Sequence, residues 1–327
     1  MKASRVVAIG TSAGGMDALK LLVAQLPGDF PAAILIVRHT SADGDVNVLV
    51  DTLGKCGTLT CTAAHHGDPV ERGQIYVAPA DHHLMVGKGR LMVTKGAQEN
   101  RSRPAVDPLF RSMAVAYGNR GVAVLLTGNL DDGTAGMLAV RRCGGLCVVQ
   151  DPDDAAFPDM PANAMRQVDV DHCVPISQMG GLLARLLREP VGPRVPVPSD
   201  VATEARIAER VLSDLVSVNS LGEQAPFNCP GCGGVLWQVD AGKALRYRCH
   251  TGHSYTAPAL LAAQSAEIEE TLWVALRMFE ERRNLLGRMA ESHSTGRAKV
   301  TRERVKDSEV HIARIKAMLK TDQQDAG

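Results

Sequence analysis

Val6-Val7-Ala8-Ile9-Gly10-Thr11-Ser12-Ala13-Gly14-Gly15-Met16-Asp17-Ala18-Leu19-Lys20-Leu21-Leu22 decides the fold. A short apolar run meets a glycine-rich turn, and helical periodicity starts directly after it. A strand that is apolar at successive positions, rather than alternate ones, must be buried on both faces. The unit recurs. Ala33-Ile34-Leu35-Ile36-Val37 is a second run, followed by a helix that Asp45 can cap, with Val46, Leu49, Val50 and Leu53 on one face. Val122-Ala123-Val124-Leu125-Leu126 is a third, with helical segments over 107–117 before it and 134–142 after it, and Gly145-Leu146-Cys147-Val148-Val149 follows. Between them Ile75-Tyr76-Val77-Ala78 reads as a strand. His83-Leu84-Met85-Val86 and Arg90-Leu91-Met92-Val93 read as a hairpin turned at Gly87-Lys88-Gly89. Short apolar strands alternating with helices predict an α/β fold, a doubly wound and mainly parallel sheet covered on both faces.

The chain has 327 residues, more than one domain of ordinary size needs. Lys plus Arg and Asp plus Glu both number 36, so no global field attracts nucleic acid or anionic lipid. No apolar run approaches the length of a membrane span, and the N-terminus has no export signal. A cytoplasmic protein with reduced cysteines is expected. Glu189-Pro190-Val191-Gly192-Pro193-Arg194-Val195-Pro196-Val197-Pro198 has the prolines of an extended linker. The predicted organisation is therefore a domain at 1–188, a linker at 189–203 and a C-terminal region at 204–327. In the last of these, a helix over about 202–218 leads in, and long helices over 258–290 and about 302–319 close the chain.

Three buried runs end in groups that can do chemistry. The first gives Ser12 in its glycine-rich turn, the second Arg38-His39-Thr40, the third Thr127-Gly128-Asn129-Leu130-Asp131-Asp132-Gly133. Sites in open α/β sheets form at the carboxyl ends of the strands. A hydroxyl, an imidazole and a carboxylate at one edge are the set for nucleophilic acyl transfer. The Ala13 amide, next after the nucleophile, is the natural first oxyanion donor, and the 128–130 loop, with Asn129, supplies a second. A phosphate-binding reading of the turn competes. A dinucleotide site, however, favours Gly-x-Gly-x-x-Gly and an acid at the next strand end, where this chain has Ser12 and Arg38-His39. The residues alone leave Asp131 and Asp132 both open as the carboxylate.

Residues 5 to about 188 resemble the catalytic domain of chemotaxis protein-glutamate methylesterases of the CheB type. The resemblance rests on Ile9-Gly10-Thr11-Ser12-Ala13-Gly14-Gly15, Arg38-His39, the stretches 76–83 and 100–107, and Leu126-Thr127-Gly128-Asn129-Leu130-Asp131-Asp132-Gly133-Thr134-Ala135-Gly136-Met137. It implies a Ser12–His39–Asp132 triad, with the aspartate directly before the glycine, and no cofactor for catalysis. It also implies hydrolysis of glutamyl methyl esters on methyl-accepting receptors, with release of methanol, and deamidation of glutamines there. The family's best-known members carry an N-terminal receiver domain; this sequence starts at the first esterase strand, so that control is expected to be missing. Thr40 stands where a Met is frequent, and Asn129-Leu130 where Met-Gly is usual. Arg101 and Arg103 are read either as contacts for acidic receptor surface or as part of a structural loop. The pairs His65-His66 and His82-His83 are read as surface or turn residues.

Cys229-Pro230-Gly231-Cys232 is followed after sixteen residues by Cys249-His250-Thr251-Gly252-His253. This is the spacing of a structural zinc site, with a hairpin over 234–239 and 244–248 joining the knuckles as in a zinc ribbon. Cys229, Cys232 and Cys249 are expected ligands, and the fourth is His253 or His250, with His253 preferred. Cys56, Cys61, Cys143, Cys147 and Cys173 are expected to be buried. Leu260, Leu261, Ile268, Leu272, Ala275, Leu276, Phe279, Leu285 and Leu286 give the long helix an apolar face, for core packing or self-association. Nucleic-acid binding by the basic tail is not expected to be its role. The leading reading is a serine methylesterase. The alternative is a zinc-containing docking protein that binds methylated receptors without turnover.

Overall fold

Val6, Val7, Ala8 and Ile9 are all fully buried, as an uninterrupted apolar run requires. Successive side chains enter opposite layers. Val6 and Ala8 join a core with Val106, Phe110 and Met137, whereas Val7 and Ile9 join one with Leu19, Leu22 and Leu183. A computed structural model of the chain describes residues 3–210, 215–239, 245–292 and 295–321.

The chain divides into two units, Met1–Leu260 and Leu261–Gly327. The first begins β1 (Val6–Thr11), α1 (Gly15–Ala24), β2 (Ala33–Arg38), α2 (Val46–Cys56), β3 (Thr60–Ala63), β4 (Gln74–Val77), β5 (His83–Gly87), β6 (Arg90–Thr94) and α3 (Val106–Tyr117). It continues with β7 (Gly121–Leu125), α4 (Thr134–Arg142), β8 (Leu146–Gln150), α5 (Asp159–Gln167), β9 (His172–Val174), α6 (Ile176–Leu186), α7 (Ser199–Arg210) and α8 (Leu215–Asn219). A small module follows: β10 (Gly222–Asn228), β11 (Val235–Val239), β12 (Arg246–Cys249) and β13 (Ser254–Thr256).

The main sheet has seven strands in the order β3-β4-β2-β1-β7-β8-β9, and every pairing is parallel. The chain moves outward from β1 through β2 and later returns to its other side at β7, so the topological switch point lies at β1. β5 and β6 form the hairpin expected from Gly87-Lys88-Gly89. The short edge strands β3 and β9 carry little apolar signal, which is why the sequence reading passes over them. The helix expected over 202–218 is present as α7 and α8; residues 211–214 between them lie outside the described residues, as does Ala244 of the expected module hairpin. β10 adds a strand to that hairpin and β13 another, making a four-stranded antiparallel sheet.

The module is joined to the α/β body by buried charge. Both carboxylate oxygens of Glu99 accept from Arg111 on α3, at 2.7 and 2.9 Å, and one also accepts from Arg248 on β12 at 2.9 Å. Glu204 on α7 accepts from Arg246 of β12 at 2.7 and 3.2 Å and lies 3.4 Å from Arg111. All five side chains are buried. Burial works against the charge of Glu99, but the guanidiniums of Arg111 and Arg248 outweigh it and hold the carboxyl below its usual range.

In the second unit, α9 (Ala257–Ser292) and α10 (Thr295–Thr321) pair through Leu276, Ile312, Ile315 and Leu319, with Phe279 stacked on His311 at 4.8 Å. Part of the predicted apolar face packs there, but Leu261, Ile268 and Leu285 are exposed. Of the five cysteines expected in cores, Cys143 and Cys147 are buried, Cys56 and Cys61 half-buried, and Cys173 exposed. Among the described residues no helix is long and apolar enough to cross a membrane.

The buried charges are expected to dominate the stability of the first unit. Arg248→Ala leaves Glu99 short of a partner in a dry site and should cost about 3–5 kcal/mol in denaturant unfolding. Arg277→Ala, which removes one member of the exposed Arg277–Glu281 pair, should leave the midpoint unchanged.

Candidate active site

Ser12, His39 and Asp132 follow β1, β2 and β7, three adjacent strands at the switch point. Backbone bonds hold the three strand ends in register: the Ser12 amide donates to the Thr127 carbonyl, and the His39 amide to the Thr11 carbonyl, both at 3.0 Å. The turn around Ser12 is further fixed by Thr127, whose hydroxyl donates to the Ala13 carbonyl at 3.0 Å and accepts from the Phe157 amide at 2.8 Å. Gly14 has φ +74°, a left-handed conformation that lets the chain turn straight from strand to helix. A Cβ on Gly128 would stand 2.8 Å from the Cβ of Ser12, so only glycine allows the two loops to approach so closely.

The side chains form one line. His39 Nδ1 lies 3.1 Å from Ser12 Oγ, and His39 Nε2 lies 2.7 Å from Asp132 Oδ2. Asp132 can only accept, so Nε2 carries the proton and Nδ1 is the nitrogen free to accept from the serine hydroxyl. The imidazole nitrogens are thus used in the reverse of the serine-protease arrangement, with the same chemical consequence. Ser12 and His39 are partly exposed, whereas Asp132 is buried. Burial disfavours charge on Asp132, but hydrogen bonds from His39, the Val106 amide and Asn100, with the charge of His39, keep its pKa below the usual value. Among the described residues, no acceptor is present for the amides of Ala13 or Asn129.

Three residues not singled out from the sequence complete the site. Asn100 donates through Nδ2 to Asp132 Oδ1 and to Asp107 Oδ2, both at 2.9 Å. Asp107 accepts from the amides of Gly133 and Gly136 at 3.1 and 2.6 Å, and burial, then the charge of Asp132, push its pKa up. Thr256, on β13, donates to Asp131 Oδ1 at 2.7 Å. A left-handed backbone at Asn100 (φ +50°) suits asparagine, but nothing in the sequence tells which chain segments meet there. Arg103 donates to Asp81 and to the Gly96 carbonyl inside its loop, whereas Arg101 is exposed. His83 is not a surface residue: it is buried, with Nε2 bonded to the Ala97 carbonyl and Nδ1 accepting from the Ala105 amide.

A domain model of this architecture, described as CheB methylesterase, matches residues 7–183. The chain belongs to the CheB methylesterase family. It is 37% identical over 183 residues to a protein-glutamate methylesterase/protein-glutamine glutaminase 2 of Anaeromyxobacter dehalogenans, covering 56% of this chain and 53% of that protein. It thus spans only about half the length of that relative. A putative protein-glutamate methylesterase/protein-glutamine glutaminase of Leptospira interrogans is 34% identical over 181 residues, covering 55% of this chain and 93% of its own. The crystal structure of the Thermotoga maritima CheB methylesterase catalytic domain superposes with a TM-score of 0.54 at 32% identity, covering 56% of this chain and 98% of that one.

The CheB-type domain accounts for neither the C-terminal helices nor the cysteine cluster. In the cluster, one donor atom from each of Cys229, Cys232, Cys249 and His253 lies within 4.8 Å of all the others. The Cys232 and Cys249 sulfurs are 3.8 Å apart, and two thiolates on a tetrahedral zinc at about 2.3 Å would be separated by about the same distance. Cys229 and Cys249 share one hydrogen bond, which pushes the Cys229 thiol up and draws the Cys249 thiol down, with His253 and Thr251 also lowering the latter. A Cβ on Gly231 would stand 3.0 Å from His253 Nε2, so the knuckle leaves room for the imidazole only because that residue is glycine. These residues can hold a structural metal.

Asp131 gives the site a pH signature. Burial raises its pKa to about 6 from an ordinary 3.8, against the Thr256 hydrogen bond. The folded state therefore binds its proton more tightly than the unfolded state, and its contribution to stability falls as pH rises from about 4 to 6. Asp131→Asn should remove this loss. The variant should match the wild type near pH 4 and exceed it by on the order of 2–3 kcal/mol above pH 6 in denaturant titrations.

Proposed function

We propose that this chain is a serine esterase that hydrolyses glutamyl methyl esters on methyl-accepting receptors, or on a related signalling protein. The hydrogen-bonded line Ser12–His39–Asp132 at the ends of adjacent strands carries the reading. Ser12 Oγ attacks the ester carbonyl while His39 Nδ1 takes its proton. The negative oxygen that forms is met by the amide of Ala13, at the turn where α1 begins with the helix dipole behind it, and by that of Asn129 in the loop after β7. Asp132 keeps Nε2 protonated and stabilises the imidazolium. His39 then returns the proton to the departing methoxide, releasing methanol, and activates a water that frees Ser12 from the acyl intermediate. The same steps on a glutamine side chain release ammonia, in keeping with the double name borne by the relatives. The chemistry needs no cofactor.

Zinc at Cys229, Cys232, Cys249 and His253 is proposed as structural, since three thiols and an imidazole make a closed set of four ligands. The eight free cysteines suit a reducing cytoplasm. Exposed Leu261, Ile268 and Leu285 on α9 support self-association through the C-terminal helices. The zero net charge gives nucleic acid no purchase.

Incubation with receptor radiolabelled at its glutamyl methyl esters should release methanol, and Ser12→Ala should reduce kcat by about 10⁴-fold or more. Absence of release by the wild type, with binding of methylated receptor retained in Ser12→Ala, would replace the esterase by the docking reading. Metal analysis of the purified chain should find about one zinc per chain.

A further inference from the structure

The contact between β13 and the loop that carries Asn100 reaches the catalytic carboxylate. Residues 98–100 run beside β13 as a parallel bridge between Glu99 and Ser254: the Asn100 amide donates to the Ser254 carbonyl at 2.8 Å, and the Ser254 amide to the Gln98 carbonyl at 3.4 Å. The Thr256 amide donates to Asn100 Oδ1 at 3.1 Å. A backbone N–H can only donate, so it forces the oxygen of the Asn100 side chain toward β13 and leaves the NH₂ to face Asp107 and Asp132. Reversed, the side chain would aim its oxygen at two buried carboxylates. Its orientation, and with it the only side-chain donor to Asp132 apart from His39 among the described residues, is thus set by β13.

β13 begins at Ser254, immediately after His253. The His253 carbonyl accepts from the Cys249 amide at 3.0 Å, so the knuckle and the strand form one backbone structure. Among the described residues the module's strands bury Ala225, Leu236, Trp237, Val239, Tyr247 and Tyr255, a small apolar set to which a metal at the knuckle would add cohesion.

We infer that the Cys229/Cys232/Cys249/His253 module completes the esterase site: β13 fixes Asn100 as a positioning residue for Asp132 and His39, and metal loading of the cluster sets turnover. The inference rests on the esterase reading for its kinetic part only. A loaded cluster holds β13 against residues 98–100, Asn100 keeps its NH₂ on Asp132, and His39 stays aligned with Ser12. An empty cluster releases β13, and the couple loses its alignment, which lowers kcat rather than substrate affinity.

The test uses the full chain in four forms: wild type and Asn100→Ala, each with zinc and after stripping by a chelator. Two quantities are read: kcat and KM for ester hydrolysis, and the downfield proton resonance of the His39 Nε2–H···Asp132 bond. Asn100→Ala and stripping should each lower kcat on the order of 10- to 100-fold with KM within about twofold. Each should shift or broaden the resonance, and added Zn²⁺ should reverse the effect of stripping. Stripping Asn100→Ala should cost little more, because both changes break the same link. Unchanged resonance and kcat on stripping, or losses that multiply in the stripped variant, would overturn the inference. Should the wild type show no hydrolysis at all, the esterase reading fails, and the resonance alone decides whether the module positions the couple.

Discussion

A buried carboxylate stays charged only where donors replace the water it has lost, and Asp132 sets that requirement for the whole site. It accepts five hydrogen bonds, from His39, Asn100 and the amides of Val106, Asp107 and Gly133. Two of those amides open α3, which has no side-chain cap of its own. Asp107, in the first turn of α3, accepts in turn from Gly133 and Gly136 at the start of α4, which also has no local cap. Each helix is therefore capped by the carboxylate that belongs to the other. Two helix N-termini and two acids form one reciprocal unit, and Asp132 cannot be moved without uncapping α3.

Two acids so close cannot both lie low in pKa, and the surroundings decide between them. Asp132 has the imidazole and stays ionised, whereas Asp107, with burial and its neighbour against it, is pushed up. Arg111, one turn along α3, draws Asp107 back toward its charged form. The same guanidinium anchors Glu99 and faces Glu204, where the arginines of β12 complete a cluster of three cations and two acids. The surplus cation of the cluster is therefore directed toward the acidic pair. The electrostatics of the Asp107–Asp132 pair and the attachment of the C-terminal module share Arg111.

Much of this was legible in the residues. Uninterrupted apolar runs such as Val6–Ile9 permit only strands buried on both faces, and the groups just past their ends had to meet at one edge. Cysteines at the spacing of a metal knuckle were expected to converge, and their donor atoms do. What stayed hidden depended on contacts remote in sequence. Asn100 and Thr256 meet across 156 residues, and no periodicity encodes which loop a strand will dock on. His83 looked like a turn residue because Asp81 and His82 precede it, yet its two ring nitrogens are matched inside the fold to Ala97 and Ala105. The short edge strands β3 and β9 were silent because an edge position makes little demand on side-chain type.

The position of the module is best understood from its weakness. A domain with a large core of its own, docked against residues 98–100, would hold Asn100 permanently and add nothing but stability. β10 to β13 have a small buried apolar set, a cluster of four metal donors and an ion network made with the α/β body, so their order draws on all three. Local stability of this kind lies at the low end of the range found within a protein, where populations respond to a ligand's binding energy. A structural zinc in such a module contributes several kcal/mol that the ribbon itself lacks. If the proposed coupling holds, the free energy of metal binding and the geometry of Asp132 become the same variable, read at two ends of one short strand.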